Sequence, residues 1–353
     1  MSEQKSLPRL SPGDRLGRYA IRRLLGRGKH AEVYQAFHPD FRRDVAVKIV
    51  TSQPAPRPEL VADFERDVKA VIELKHPNIM RVYESGFEAG FLFIVMELVE
   101  GTSLRDVLSK HPTGLTRDET MRVFSQLVSA VACAHDQGVI HENIKPDNVL
   151  LDSNQRPVLT DFTLPCLRRT EYAITSGGAG TAAYLAPEQA AQQLTSPQSD
   201  IYSLGVLLYE MVTGDVPFRG ASYEHVVRQH QETAPTPPGQ ISMNLDPRLE
   251  HVILSALSKK PAERYASARE MLTALENEEI GNRYETVALH REDIPAIQKR
   301  RSEIIRFQQS RMDEPVESLP SVPWLRTLDR DWLIAGGMVA VAVILALALI
   351  ILL

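Results

Sequence analysis

Leu25-Gly-Arg-Gly-Lys-His-Ala-Glu-Val33, followed by Val45-Ala-Val-Lys48, decides the fold. The first stretch follows a predicted strand, Arg18 to Leu25, and its small residues let backbone amides approach phosphate oxygens closely. Alone, a hairpin turn with incidental glycines explains it equally well. The second stretch places a lysine on the next strand, where an isolated ammonium is uncommon. Working outward, short β-rich runs (Arg18 to Leu25, Val45 to Val50, Phe91 to Met96) surround one helical pattern at Val61 to Leu74. From Leu104 onward helical periodicity takes over, at Thr116 to Asp136, Ser199 to Thr213 and Leu249 to Leu257. The pattern is α+β: a small β-rich N-lobe, 17–99, and a mainly helical C-lobe, 100–279, after a polar N-terminal tail, 1–16.

The chain has 353 residues, more than one small core usually holds, which suits two lobes plus tails. Forty basic residues against 45 acidic ones give a net charge of -5, without the positive excess that a nucleic-acid partner requires. Cys133 and Cys166 stand far apart with no CxxC, which argues against a disulfide framework and a zinc site and for a reducing setting. Residues Met1 to Arg15 lack the apolar run of a secretory signal.

At the other end, Trp332 to Leu353 is about 22 residues without a charge, long enough for a transmembrane helix. Arg326 and Arg330 precede it, Trp324 and Trp332 mark its entry, and nothing follows Leu353, so the expectation is a single-pass cell-membrane anchor with the N-terminal body in the cytoplasm. The charged, Pro-bearing residues 280–331 read as a juxtamembrane linker, with Lys299, Arg300 and Arg301 available to anionic headgroups.

From Gly17 to Leu275 the motifs resemble, in family order, those of eukaryotic-type Ser/Thr protein kinases of the bacterial kind. Val45-Ala-Val-Lys48 resembles the strand whose lysine pairs with the α- and β-phosphates. Phe93-Ile-Val-Met-Glu97 with Leu98-Val-Glu-Gly101 resembles the hinge, Met96 being the gatekeeper and Glu97 and Val99 facing the adenine. His141-Glu-Asn-Ile-Lys-Pro-Asp-Asn148 matches the catalytic loop, Asp161-Phe-Thr163 the metal motif, and Ala186-Pro-Glu188 the end of the activation segment, preceded by Gly180-Thr-Ala-Ala-Tyr184. Asp200-Ile-Tyr-Ser-Leu-Gly205 is similar to the central helix, and Arg264 to the arginine that pairs with Glu188. The resemblance implies a bilobal protein kinase fold. It also implies an ATP site of Leu25, Gly26, Gly28, Ala31, Val33, Ala46, Lys48, Met96, Glu97 and Val99. Mg²⁺ would be held by Asn148 and Asp161, and the γ-phosphate neutralised by Lys145.

The departures carry the functional argument. Asn143 occupies the position of the aspartate that takes the acceptor hydroxyl's proton, and an amide cannot take it, although it can still orient a hydroxyl. Glu142 replaces the arginine that would bind a phosphorylated activation loop, which argues against activation through Thr170, Thr175 or Ser176. Asp67 stands at the position of Lys48's glutamate partner, one methylene shorter, so the pair needs the helix to move inward. Thr163 replaces a glycine after Asp161-Phe162 and should restrict flipping of that motif. Ala31 replaces the third loop glycine. The expectation is a membrane-anchored pseudokinase that binds ATP and Mg²⁺ and serves a cytoplasmic protein partner as a switch or scaffold. The alternatives are a low-activity Ser/Thr kinase and a nucleotide-free scaffold whose cleft is capped by Lys29, His30 and Ala31.

Overall fold

The structure is a computed structural model, and it describes residues 10–28, 31–50, 57–168, 182–191 and 193–277. All of these fall in the first of two compact units, Met1–Glu292. Lys29, His30, Thr170, Thr175, Ser176, Gly180, the linker 280–331 and the apolar run 332–353 lie outside the described residues. Among the described residues no helix is long and apolar enough to cross a membrane.

The N-lobe is a six-stranded antiparallel sheet, β1 (Arg15–Leu16), β2 (Tyr19–Arg27), β3 (Ala31–His38), β4 (Arg43–Val50), β5 (Val82–Glu88) and β6 (Phe91–Met96), in the order β1-β2-β3-β4-β6-β5. Strands β2, β4 and β6 lie where the β-rich runs place them, and β1, β3 and β5 are added by the structure. The sheet begins earlier than expected, since Leu16 is buried in it rather than lying in a tail. Tyr19, Tyr34, Val45, Val47 and Phe93 form a core on one face, and helix α1 (Pro58–Ile72) covers the other through Phe64, Val68 and Val71. Alternation puts Ala46 and Lys48 on a common face. Opposite them the ladder sets Met96 against Ala46 and Val33 against Lys48, so four predicted site residues share that face through register alone.

A small three-stranded sheet, β7 (Gly101–Ser103), β8 (Val149–Asp152) and β9 (Pro157–Leu159), lies beyond the hinge, and α2 (Leu104–Leu108) follows β7. Helix α3 (Arg117–Asp136) starts at a capping box: Glu119 N–H donates to Thr116 Oγ1, and Thr116 N–H donates to Glu119 Oε2 at 3.0 Å. The short α4 (Pro165–Arg168) and α5 (Pro187–Ala190) flank undescribed residues. Helix α6 (Pro197–Thr213) is buried at every position from Ser199 to Thr213, its apolar side chains packed on all sides and its carboxylates Asp200 and Glu210 hydrogen-bonded. Around it pack α3, α7 (Tyr223–Glu232), α8 (Pro247–Ala256) and α9 (Ala268–Glu276). Gly205 allows the closest of these contacts, because a Cβ there would sit 2.7 Å from Ala256 Cβ. The architecture is the expected bilobal α+β fold.

Candidate active site

The floor of the cleft is an apolar slab of Ala46, Met80, Met96 and Val158, with Val33, Val82, Leu98, Val99 and Leu150 packed against it. Glu97 N–H donates to Arg81 O at 2.8 Å, which fixes the hinge strand. Among the described residues no partner takes the Glu97 carbonyl or the Val99 N–H, so the hinge presents one acceptor and one donor along this slab. At the loop, Gly28 N–H donates to Ala31 O at 2.8 Å, and a Cβ on Gly26 would meet nothing. Ala31 has an ordinary φ and begins β3, so the missing third glycine costs no strain. Leu25 remains largely exposed.

The catalytic loop is positioned from below by one buried carboxylate. Asp200, fully buried on α6, accepts from His141 N–H at 2.8 Å and Glu142 N–H at 2.7 Å, and His135 Nε2 lies 2.8 Å from it. These bonds hold Glu142 at a φ of +62°, a conformation unfavourable for this residue without such support. Its carboxylate accepts the Thr195 hydroxyl, and its carbonyl accepts from Gln189 Nε2. His141 Nε2 lies 2.8 Å from Thr160 O, and its ring packs 4.4 Å from Phe162. Burial draws this imidazole's pKa down despite Asp200, so the ring is a neutral spacer between catalytic loop and metal motif.

Asn143, Asn148, Asp161 and Lys48 meet at the cleft's inner end. Asn148, buried, donates from Nδ2 to Asn143 O at 2.8 Å, which leaves Oδ1 as its acceptor. Asp161 adopts φ +61°, and Thr163, with an ordinary φ, donates its N–H to His141 O at 3.1 Å. Lys48 Nζ donates to Asp161 Oδ1 at 2.7 Å. Burial raises the Asp161 pKa, but Lys48, with Lys145 behind it, outweighs this and holds the carboxyl below its usual range. Among the described residues no three His, Cys, Asp or Glu side chains form a metal cluster. Asn148 and Asp161 are a set that suits Mg²⁺ brought in by phosphate oxygens.

One expectation is corrected: Asp67 and Lys48 are not an ion pair here. Asp67 Oδ2 accepts from Cys166 N–H at 2.7 Å, at the start of α4, while Lys48 takes Asp161. The shorter side chain and the packing of α1 on Leu164 and Cys166 explain the exchange. Between Lys48 and α1 lies a small open cavity lined by Val68, Val71, Ile94 and Phe162. Sequence reading also passed over Arg105, whose guanidinium joins four segments, and the Asp200 bonds to the loop; nothing local in the chain marks either.

The lower anchor stands as expected. Arg264 donates from Nη1 and Nη2 to the two Glu188 oxygens at 2.7 and 2.9 Å, and Ser199 Oγ donates to the same carboxylate.

The protein kinase domain family model matches residues 19–275. Serine/threonine-protein kinase PrkC of Bacillus subtilis is 36% identical over 256 residues, 72% of this chain and 39% of its own. Serine/threonine-protein kinase PknB of Mycobacterium tuberculosis is 36% identical over 269 residues, 74% of this chain and 43% of its own. The chain thus spans about two fifths of the length of these relatives. The crystal structure of the Mycobacterium tuberculosis PknI kinase domain superposes with a TM-score of 0.62 at 27% identity, covering 76% of this chain and 99% of that one. With lobes, hinge, catalytic loop and Glu188–Arg264 anchor all in place, the chain belongs to the protein kinase domain family, among the bacterial Ser/Thr kinases of eukaryotic type.

Proposed function

We propose that this chain is a membrane-anchored kinase-like protein that binds ATP with Mg²⁺ and works as a conformational switch or docking module for a cytoplasmic protein, without efficient phosphotransfer. The observation that carries it is Asn143: its backbone carbonyl accepts from Asn148 Nδ2, which fixes the residue at the cleft's inner end, and its side-chain amide has no basic site for the acceptor hydroxyl's proton. The free hinge acceptor and donor, the open side of Gly26 and the Lys48, Asn148 and Asp161 set support nucleotide binding. Bound Mg²⁺ would supply charge neutralisation at the phosphates. The chain's own residues would orient them: Lys48 and Lys145 as cations, Asn148 and Asp161 as oxygen ligands.

The switch follows from competition. Asp161 would hold Mg²⁺ through the carboxylate that now pairs with Lys48, and Lys48, no longer its sole partner, would be available to phosphate and to Asp67. Asp67 reaches it only by leaving Cys166, which moves α1 against α4. The charge-free run Trp332 to Leu353, with Arg326 and Arg330 before it, supports the membrane anchor and the cytoplasmic placement of the kinase-like region.

A slow Ser/Thr kinase is the second reading, favoured by the convergence of Lys48, Asn148 and Asp161, because phosphoryl transfer depends mostly on positioning and electrostatics. Label transfer from γ-labelled ATP by the full chain separates the two. Wild type is expected silent, and Asn143→Asp is expected to gain about 100-fold or more over it, dependent on Lys48. Label transfer by wild type that Lys48→Met abolishes would establish the slow kinase instead.

A further inference from the structure

Glu210 is a buried carboxylate in the last turn of α6, its side chain 6% exposed, and a buried anion needs a cation beside it. That cation is Arg105 of α2. Arg105 Nη1 donates to Glu210 Oε1 at 2.6 Å and Nη2 donates to Tyr184 Oη at 2.6 Å, while Tyr184 Oη donates to Glu210 Oε2 at 2.5 Å. Arg105 Nε lies 3.4 Å from Asp147 Oδ2, on the turn between Lys145 and Asn148. Burial lowers the guanidinium's pKa, and Tyr184 and Glu210 raise it by more, so the cation is held there.

The location matters more than the charges. Tyr184 lies just before Ala186-Pro-Glu188, and Asp147 lies four residues beyond Asn143. The cluster therefore sits on the strip running from the catalytic loop to the end of the activation segment, where an acceptor chain or a docked peptide must lie. Asp147, half exposed, and Glu210 beneath it make an acidic receptacle there, shaped for a planar guanidinium.

We propose that Arg105 is a built-in occupant of this receptacle: it ties catalytic loop, activation segment and α6 together and, by filling the acidic site, denies it to arginine side chains of an incoming peptide. Arg105 is thus a positioning and specificity-determining residue, and this cleft takes peptides without selecting a basic residue at that point. The inference goes beyond the switch reading and involves no nucleotide, so either can fail without the other.

The test uses the full chain and two synthetic serine peptides, one with arginines flanking the serine and one with alanines in their place. Wild type is expected to bind the two alike within about twofold. Arg105→Ala is expected to prefer the arginine peptide about tenfold, as a charge-assisted pair implies, and to gain thermal stability in millimolar guanidinium chloride but not in equal sodium chloride. The double variant Arg105→Ala with Glu210→Gln should lose both responses. If Arg105→Ala does not fold in sodium chloride, its refolding yield should rise in guanidinium chloride. A wild-type preference for the arginine peptide, an Arg105→Ala chain indifferent to arginine peptide and guanidinium alike, or a refolding yield that guanidinium leaves unchanged overturns the proposal.

Discussion

Two carboxylates of this molecule have been assigned arginine or lysine partners by the same kind of motif reading, and they behave oppositely. Glu188 holds Arg264 through two bonds of 2.7 and 2.9 Å, with neither side chain more than 6% exposed. Asp67, on the helix beside the cleft, has let Lys48 go to Asp161 and accepts a backbone N–H instead. The difference lies in the alternatives on offer. Around Glu188 every other donor is already part of the same anchor: Ser199 bonds the carboxylate, and Arg264 also donates to Ser258, Gln198 and Lys259 carbonyls. Around Lys48 there are two acids for one ammonium, a cavity beside the helix and a partly exposed setting, so the pairing can change at small cost. A buried pair with no second partner is a scaffold, and a pair with one is a switch.

The sharpest way to break the comparison is at the scaffold. Arg264→Met leaves Glu188 buried and uncompensated, and removing one partner of a buried pair costs about 3–5 kcal/mol. Chemical denaturation should show that loss, with no comparable loss for Lys48→Met, whose partner is already partly in water. Equal losses would mean that Lys48–Asp161 is as rigid a scaffold as the anchor.

A second prediction concerns pH at the same lower lobe. His230, buried on α7 with Nδ1 2.8 Å from Tyr202 Oη, is pushed down to about 3 by burial and then by Lys259. Its folded value lies below the ordinary one near 6.5, so the unfolded chain binds the proton that the folded chain refuses, and stability falls as pH drops from about 6.5 toward 3. Each pH unit in that window costs about 1.4 kcal/mol, or ~2 kcal/mol between pH 6.5 and pH 5. His230→Gln should flatten the stability profile over this interval in thermal or denaturant titrations; an unchanged slope would remove His230 as the cause.

The fold was legible because its information is repeated. Strand alternation and helical periodicity, as at Thr116 to Asp136 and Ser199 to Thr213, are each local, and the family motifs came in order along the chain. Site residues that share one face of a ladder, Val33, Ala46, Lys48 and Met96, were legible for the same reason, since register carries them together. The pairing of Asp67 was not, because it depends on a backbone donor at Cys166 that no motif announces. Arg105, Tyr184 and Glu210 were missed because they come from elements distant in sequence, and only the folded chain shows that one guanidinium serves them all.

The smallest predicted effect bears on the switch itself. Cys166 is buried, and its thiol is pushed up to about 12 by burial and by Asp67, so it should react slowly with iodoacetamide beside the more accessible Cys133. Asp67→Ala removes the acceptor that holds α4 to α1, and loss of one charge-assisted bond, about 1.5–3 kcal/mol at most, implies a rise of about tenfold in Cys166 alkylation with Cys133 unchanged. In the wild type, ATP with Mg²⁺ should move Cys166 in the same direction, because it competes for Asp161 and frees Lys48 to draw on Asp67. Mass spectrometry of the two cysteines reads both. If Asp67→Ala accelerates Cys166 while nucleotide that demonstrably binds does not, Asp67 is a static latch, and the contrast with the Glu188 anchor becomes one of bond strength rather than of exchange.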